Sequence, residues 1–124
     1  MDKTCLALSR SVYLSHSFWS QLLNRALVLE TNYTSKQICE RIPQVIPSWN
    51  YQEQQLQRSF FFPSFLNGVR FVGQVAKLAD QKKHHPTIVI NFTTVHLSLS
   101  THDTKGITEK DFVLAREIDT LLKK

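Results

Sequence analysis

The stretch between Pro63 and Pro86 constrains the fold most, because two prolines confine a helical repeat. Pro63 cannot extend a strand ladder, and Pro86 disfavours helical geometry in the residue before it, so we expect a helix that ends near Lys83. Ser64 can cap its start. The apolar side chains recur at intervals of three or four: Phe65, Val69, Val72, Ala76 and Ala79. The pattern predicts an amphipathic helix that packs against a sheet or a partner helix.

Strand-like alternation flanks this helix on both sides. Residues 56–62 place Leu56, Arg58, Phe60 and Phe62 on one face, and residues 49–51 can form a short strand before them. Residues 87–92 and 95–100 are rich in β-forming side chains and flank Thr93-Thr94, which predicts a hairpin. In its second strand Val95, Leu97 and Leu99 share one face. The chain therefore alternates strands with helices.

Two further helices are expected, one at each end of this body. Thr34 or Ser35 can cap a short helix that runs to about residue 41, after which Pro43 and Pro47 break the chain. Near the C-terminus Thr108 can cap a helix with Asp111 at its third position, as in a capping box. Leu114, Ile118, Leu121 and Leu122 give that helix an apolar stripe.

Composition excludes several classes of function. The 124 residues suffice for one domain with a single core, and the net charge of +5 comes from scattered basic residues, so we expect no nucleic-acid surface. No apolar run approaches the roughly 20 residues needed to span a bilayer, so we expect no membrane partner. Cys5 and Cys39 lack metal or redox spacing and predict no disulfide framework, which favours a reducing, cytoplasmic compartment.

Residues 1–33 differ from the rest and are interpreted as an N-terminal extension, with the domain over residues 34–124. The extension is serine-rich and poor in acids, and its apolar side chains recur at helical spacing: Phe18, Leu22, Leu23, Ala26 and Leu27. Such a segment is either an extra helix or a transit peptide. In the second case the destination would be a mitochondrion or a plastid rather than the cytoplasm.

Three histidines carry the chemistry on offer: His84 and His85 before Pro86, and His102 after the second strand of the hairpin. Histidine both gives and takes a proton near neutral pH, and the hairpin between the two clusters could bring them into one pocket. From these residues alone, the His84-His85 pair is more simply interpreted as a surface turn before a strand. A zinc site is a further alternative, but no fourth cysteine or carboxylate ligand is evident.

The chain resembles a known family over roughly residues 34–120. The matching residues are Trp49-Asn50, residues 58–65 (RSFFFPSF), Ala79-Asp80, His84-His85-Pro86, residues 95–102 (VHLSLSTH), and Gly106-Ile107-Thr108 with Asp111, Leu114 and Ala115. The resemblance is to the pterin-4a-carbinolamine dehydratases, also described as dimerisation cofactors of a homeodomain transcription factor. The histidine pair and the later Thr-His, at this spacing, are the specific part of it.

The resemblance implies an α+β fold with a four-stranded antiparallel sheet and helices packed on one face. It implies a hydro-lyase, a 4a-hydroxytetrahydrobiopterin dehydratase, which converts 4a-hydroxytetrahydropterin to quinonoid dihydropterin in tetrahydrobiopterin recycling. No metal and no organic cofactor take part, and members form dimers or tetramers. On this basis His84 and His102 transfer protons and His85 holds the pterin ring. The substrate-contacting positions are Asp80, Pro86, Thr101 and Asp103.

Two departures from the family pattern keep a second function open. Members usually carry Glu where this chain has Asp80, and often Asp or Asn where it has Lys83. Relatives also serve as transcriptional coactivators or in Rubisco assembly, so the alternative is a non-catalytic binding module that acts as a coactivator or an assembly chaperone. The presence of all three histidines favours the enzyme.

Overall fold

The computed structural model describes residues 31–123 as three helices and four strands. The elements are α1 Ser35–Val45, β1 Asn50–Gln52, β2 Gln55–Phe61, α2 Phe65–Lys82, β3 Thr87–Asn91, β4 Thr94–Leu99 and α3 Glu109–Leu121. The strands form one antiparallel sheet in the order β1-β2-β4-β3. The α+β class implied by the resemblance is confirmed. The interpretation of residues 1–30, including the apolar repeat from Phe18 to Leu27, lies outside the described residues.

The register of the sheet separates a core face from an open face. Leu56 pairs with Leu99 and Phe60 with Val95, and all four side chains are buried. Residues one position away, such as Ser59 and its partner His96, point to the other face because side chains alternate along a strand. The core lies between the first face and the helices, and it also contains Ile38, Trp49, Val75, Phe112 and Ile118.

Helix α2 ends where the sequence predicts, but a different stripe faces the core. Ser64 Oγ accepts the Asn67 N–H at 3.2 Å, which confirms the predicted cap. The buried positions are Gly68, Phe71, Val75 and Ala79, whereas Phe65 and Val69 are exposed. The helix is apolar on more than one side, so its spacing alone left the orientation open. The burial of Phe71, which contacts Phe60 and Phe62, shows which side meets the sheet.

Helix α1 continues past the point where Pro43 was expected to break it. The helix includes Pro43 and ends at Val45, and the Ile46 N–H still donates to the Ile42 carbonyl at 2.9 Å. Proline removes one backbone donor, but Ile42 and Ile46 on either side are buried in the core. Burial of these two side chains therefore outweighs the missing hydrogen bond.

The hairpin turns one residue earlier than expected. Its turn residues are Phe92 and Thr93, and Thr94 already belongs to β4. Phe92 adopts a left-handed backbone with φ of 54°, and its side chain is 72% exposed. A bulky residue with positive φ at a turn is uncommon and carries no sequence signature, which accounts for the shift.

Residues just before the predicted domain boundary contact the body. The Tyr33 hydroxyl donates to Glu109 Oε1 at 2.6 Å, and Arg41 pairs with the same carboxylate at 2.9 Å. Burial and the hydrogen bond to Glu109 raise the pKa of Tyr33 to about 12. These contacts join the start of the described chain to the start of α3.

Cys39, half-buried on α1, is disulfide-bonded. The cysteine spacing predicted no disulfide framework and gave no sign of this bond. Cysteine spacing alone does not reveal which side chains the fold brings together. Disulfides are typical of oxidising compartments, so the cysteine-based argument for a reducing compartment no longer holds.

Candidate active site

Three segments of the chain meet at one end of the sheet and line a cleft of about 220 Å³. The residues that line it come from the end of α2, from the turn after β4 and from the first turn of α3: Lys83, His84, His85, Thr101, His102, Asp103 and Lys110. The two histidine clusters, 17 positions apart between His85 and His102, thus open into the same space. Of the residues implied by the resemblance, Asp80 and Pro86 do not line the cleft.

The end of α2 sets the direction of His84. Lys83 closes the helix in the left-handed conformation with φ of 55°, and the His84 N–H donates back to the Ala79 carbonyl at 3.1 Å. This cap reverses the chain within two residues. As a result His84 turns inward, where its side chain is only 10% exposed, while His85 stays at the surface.

A buried carboxylate holds His84. Asp111 is fully buried, and its Oδ1 lies 2.6 Å from His84 Nε2. Its other oxygen, Oδ2, accepts the Thr101 hydroxyl at 2.8 Å and the Thr108 N–H at 3.0 Å. The Thr101 and Thr108 hydroxyl oxygens are themselves 2.8 Å apart. This contact places Nε2 of His84 against the carboxylate of Asp111 and leaves the other ring nitrogen, Nδ1, without a part in it.

His102 and Asp103 lie in a short turn that the backbone closes. The Thr101 N–H donates to the Gly106 carbonyl at 2.8 Å, which pairs the two residues as an isolated bridge. A side chain at Gly106 would place its Cβ 2.7 Å from Asn32 Cγ, so this position requires close approach. Both His102 and Asp103 are exposed at the rim of the cleft.

His85 is held by a second, exposed carboxylate. Its Nε2 lies 2.9 Å from Asp80 Oδ1, one turn back on α2. The side chains are 62% and 82% exposed, so solvent weakens this contact relative to that of His84 with Asp111. The three histidines therefore occupy different environments around one cavity, a condition for dividing acid and base roles among them.

The profile of the pterin 4 alpha carbinolamine dehydratase family matches residues 31–121. The chain belongs to this family. A protein from Thermomicrobium roseum, provisionally named a pterin-4-alpha-carbinolamine dehydratase, is 45% identical over 78 residues, which cover 63% of this chain and 84% of that protein. A protein of the same provisional name from Mycobacterium sp. (strain KMS) is 44% identical over 89 residues, covering 72% and 94%.

A solved structure agrees with the fold. The crystal structure of a transcriptional coactivator/pterin dehydratase from Brucella melitensis superimposes with a TM-score of 0.68 at 27% identity. The match covers 73% of this chain and 97% of that one. The Brucella protein thus shares its fold with the body of this chain.

Sequence reasoning missed the contact of buried Asp111 with His84, which lines the cleft of this dehydratase-family protein. Asp111 and Thr108 were interpreted as a helix cap, and the Thr108 N–H does donate to Asp111 Oδ2. The cap used one carboxylate oxygen and left the other available to His84. The signal that could have indicated this contact is that Asp111 both caps the helix and matches the family pattern. Lys83 and Lys110, which line the cleft, were not predicted as site residues either.

The described residues show neither a metal-binding cluster nor a membrane-spanning helix. Within residues 31–123, no group of three or more His, Cys, Asp or Glu side chains has the geometry to hold a metal ion. Over the same range, no helix is both long enough and apolar enough to cross a bilayer. The three cleft histidines therefore lack the mutual geometry of a zinc site.

Proposed function

We propose that the protein dehydrates 4a-hydroxytetrahydropterin to quinonoid dihydropterin by histidine acid–base catalysis. The observation that carries this proposal is the cleft itself, where His84, His85 and His102 converge and buried Asp111 orients His84. Family membership supplies the substrate class. We further propose that the reaction serves tetrahydrobiopterin recycling and needs no metal or cofactor.

The reaction needs two proton transfers and little else. The hydroxyl leaves from a ring carbon that also bears a nitrogen, whose lone pair forms the new C=N bond as the C–O bond breaks. The leaving oxygen takes a proton and departs as water, and a proton leaves the ring nitrogen system. His84 and His102, which both line the cleft, are suited to these transfers, and general acid–base catalysis supplies about 10²–10⁴-fold.

Replacing single histidines tests the proposal. We expect His84→Ala and His102→Ala each to lower kcat/KM by about 10²-fold or more. His96→Ala is the matched control, because His96 lies on the open face of the sheet and contacts Ser59 Oγ at 2.6 Å. Circular dichroism checks that each variant folds. Wild-type protein that is no faster than buffer would refute the proposed activity.

We also propose that the chain forms a homodimer or a homotetramer. Edge strand β3 pairs only with β4 among the described residues. Large apolar side chains are exposed on this strand, in the turn after it, on α2 and at the end of β2: Phe61, Phe65, Leu66, Val69, Val89, Ile90 and Phe92. Patches of this kind usually mark interfaces. A solution mass of one chain by light scattering, maintained on concentrating the protein, would contradict this assembly.

A binding module is the second candidate function. It is supported by the coactivator half of the Brucella protein's name and by the exposed apolar side chains. The two functions make different demands on the histidines. A module that acts only through its surface would tolerate His84→Ala without loss of partner binding, whereas the enzyme would not retain turnover.

A further inference from the structure

The hydroxyl of Thr101 is bonded inside the protein, although Thr101 borders the cleft. Only 3% of the residue is exposed. The hydroxyl donates to Asp111 Oδ2 at 2.8 Å, and the Thr108 hydroxyl oxygen lies 2.8 Å from it. Asp111 and Thr108 are both fully buried. Because a hydroxyl has a single proton to donate, the proton of Thr101 is already committed to Asp111.

Asp111 accepts hydrogen bonds from two different parts of the chain at the same oxygen. Oδ2 accepts the Thr108 N–H at 3.0 Å, from three positions away, and the Thr101 hydroxyl, from ten positions away. The first bond is local to the start of α3, whereas the second comes from the turn after β4. The two oxygens of a carboxylate move together, so the hydroxyl that fixes Oδ2 also fixes Oδ1, which lies 2.6 Å from His84 Nε2.

The backbone of Thr101 sets the start of the turn that carries His102. The Thr101 N–H donates to the Gly106 carbonyl at 2.8 Å, and the Gly106 N–H donates to the Thr101 carbonyl at 3.4 Å. His102 is the next residue along the chain and lines the cleft. Thr101 is therefore tied to both histidines to which we assign proton transfer. Its side chain reaches His84 through Asp111, and its backbone leads directly to His102.

We infer that Thr101 is a positioning residue, which holds His84 in place relative to His102 and does not itself bind the substrate. The inference rests on the proposed dehydratase function. Two proton transfers on one small molecule require both imidazoles at fixed places around it, and hydrogen bonds from a supporting layer of side chains keep them there. The resemblance implies instead that Thr101 contacts the substrate. A hydrogen bond donated to the substrate would require the hydroxyl to leave Asp111, and the experiment distinguishes these two roles.

The test compares two variants that separate the hydroxyl of Thr101 from its methyl group. Thr101→Val removes the hydroxyl and keeps the branched shape, whereas Thr101→Ser keeps the hydroxyl and removes the methyl group. We expect Thr101→Val to lower kcat about tenfold or more and to change KM by less than about twofold. Thr101→Ser should keep kcat within about threefold of wild type. A rise in KM with kcat unchanged in Thr101→Val would show that the hydroxyl binds the substrate, and would overturn the inference.

The control variant is Thr120→Val, on the same helix as Asp111. The Thr120 hydroxyl donates to the Glu117 carbonyl at 2.6 Å, and Thr120 lies outside the cleft. The substitution removes a bonded hydroxyl from the same residue type, and it should leave kcat and KM unchanged. Circular dichroism checks that each variant folds. Wild-type kcat in folded Thr101→Val would overturn the inference.

Crystal structures test the placement of His84 independently of turnover. In Thr101→Val we expect the His84 imidazole to move from its place on Asp111. If this variant does not fold, wild-type protein crystallised with a 7,8-dihydropterin decides the question: Thr101 Oγ1 that stays on Asp111 supports positioning, and Thr101 Oγ1 on the pterin overturns it. Turnover with an unmoved ring in Thr101→Val would refute this inference alone, whereas wild-type protein without turnover would refute the proposed function and this inference with it.

Discussion

Helix α3 carries two aspartates, Asp111 and Asp119, that differ in the side chains their carboxylates contact. Asp111, in the first turn, is fully buried and contacts His84 at 2.6 Å. Asp119, in the last turns, accepts from Trp49 Nε1 at 2.9 Å and pairs with Arg58 at 2.6 Å. Both carboxylates join the helix to a distant part of the chain, over 27 and 61 residues to His84 and Arg58.

The partners decide what each carboxylate can do. Neither a guanidinium nor an indole N–H acts as a general base, so the contacts of Asp119 with Arg58 and Trp49 form a structural tie. His84 can give and take a proton, and it opens into a cavity. The same residue type on the same helix therefore forms a structural tie at one end and, under the proposed function, orients a proton-transferring histidine at the other.

The largest expected loss of activity follows substitution of Asp111, at the N-terminal end of α3. Asp111→Asn keeps the shape of the side chain but removes the charge that accepts from His84 Nε2. We expect kcat/KM to fall by about 10²-fold, because the orientation of His84 and its proton transfer are both lost. Steady-state kinetics with a fold check by circular dichroism measures this. Activity within twofold of wild type would show that Asp111 is only a helix cap.

A substitution of Asp119, near the C-terminal end of α3, should lower stability and leave turnover nearly unchanged. Asp119→Ala leaves the Trp49 N–H and the Arg58 guanidinium without their partner, which we expect to cost about 1–3 kcal/mol of unfolding free energy. Urea denaturation measures the loss. Turnover at saturating substrate should stay within twofold of wild type, since Asp119 lies outside the cleft. A large loss of turnover in a folded variant would end the contrast between the two aspartates.

Tyr33, whose hydroxyl donates to Glu109 in the first turn of α3, extends the comparison to pH. Tyr33 is neutral when protonated, and its pKa is raised from 10.0 to about 12 in the folded chain. Between these values the unfolded chain loses the proton and the folded chain keeps it, so this contribution to stability is present below pH 10 and is lost as pH rises towards 12.

Tyr33→Phe isolates that contribution. We expect it to cost about 1 kcal/mol below pH 10, because the hydrogen bond to Glu109 is lost. The difference in unfolding free energy between wild type and variant should shrink as pH rises from 10 to 12. A difference that is constant over this range would mean that the Tyr33 hydroxyl does not titrate with folding.

The smallest effect concerns the backbone that aims His84. Lys83→Gly relieves the left-handed strain but increases the entropy of the unfolded chain, so we expect a net gain of only about 0.5 kcal/mol. Lys82→Gly, in a right-handed helical position, should instead lose about 1 kcal/mol. Thermal unfolding of the pair measures both. Destabilisation by Lys83→Gly would show that the lysine side chain stabilises the cap.

Sequence patterns predicted the features that are determined by residues close together along the chain. The cap at Ser64, the alternation of Val95, Leu97 and Leu99 and the end of α2 near Lys83 all follow from local propensity, and the structure confirms them. The side of α2 that faces the core was left open by the sequence, because several sides of the helix are apolar and only the sheet selects between them. The continuation of α1 through Pro43 was missed for a similar reason, since burial of Ile42 and Ile46 overrode a local signal.

The candidate site was likewise predicted where local patterns reveal it and missed where a long-range contact forms it. The histidines were predicted from their chemistry and from the family pattern, and the structure places His84, His85 and His102 around one cleft. The buried partner of His84 was not predicted, because the capping box already accounted for Asp111 in local terms. A long-range contact between residues 27 positions apart has no signature in a single sequence.

The double use of Asp111 restricts how this protein can change over generations. A substitution that strengthens the start of α3 by altering the cap also alters the group that orients His84, and the converse holds for any change in the cleft. Under the proposed function, stability and turnover are therefore coupled at this helix end. At Asp119 they vary separately, so drift should accumulate at the distal end of α3 long before it reaches the first turn.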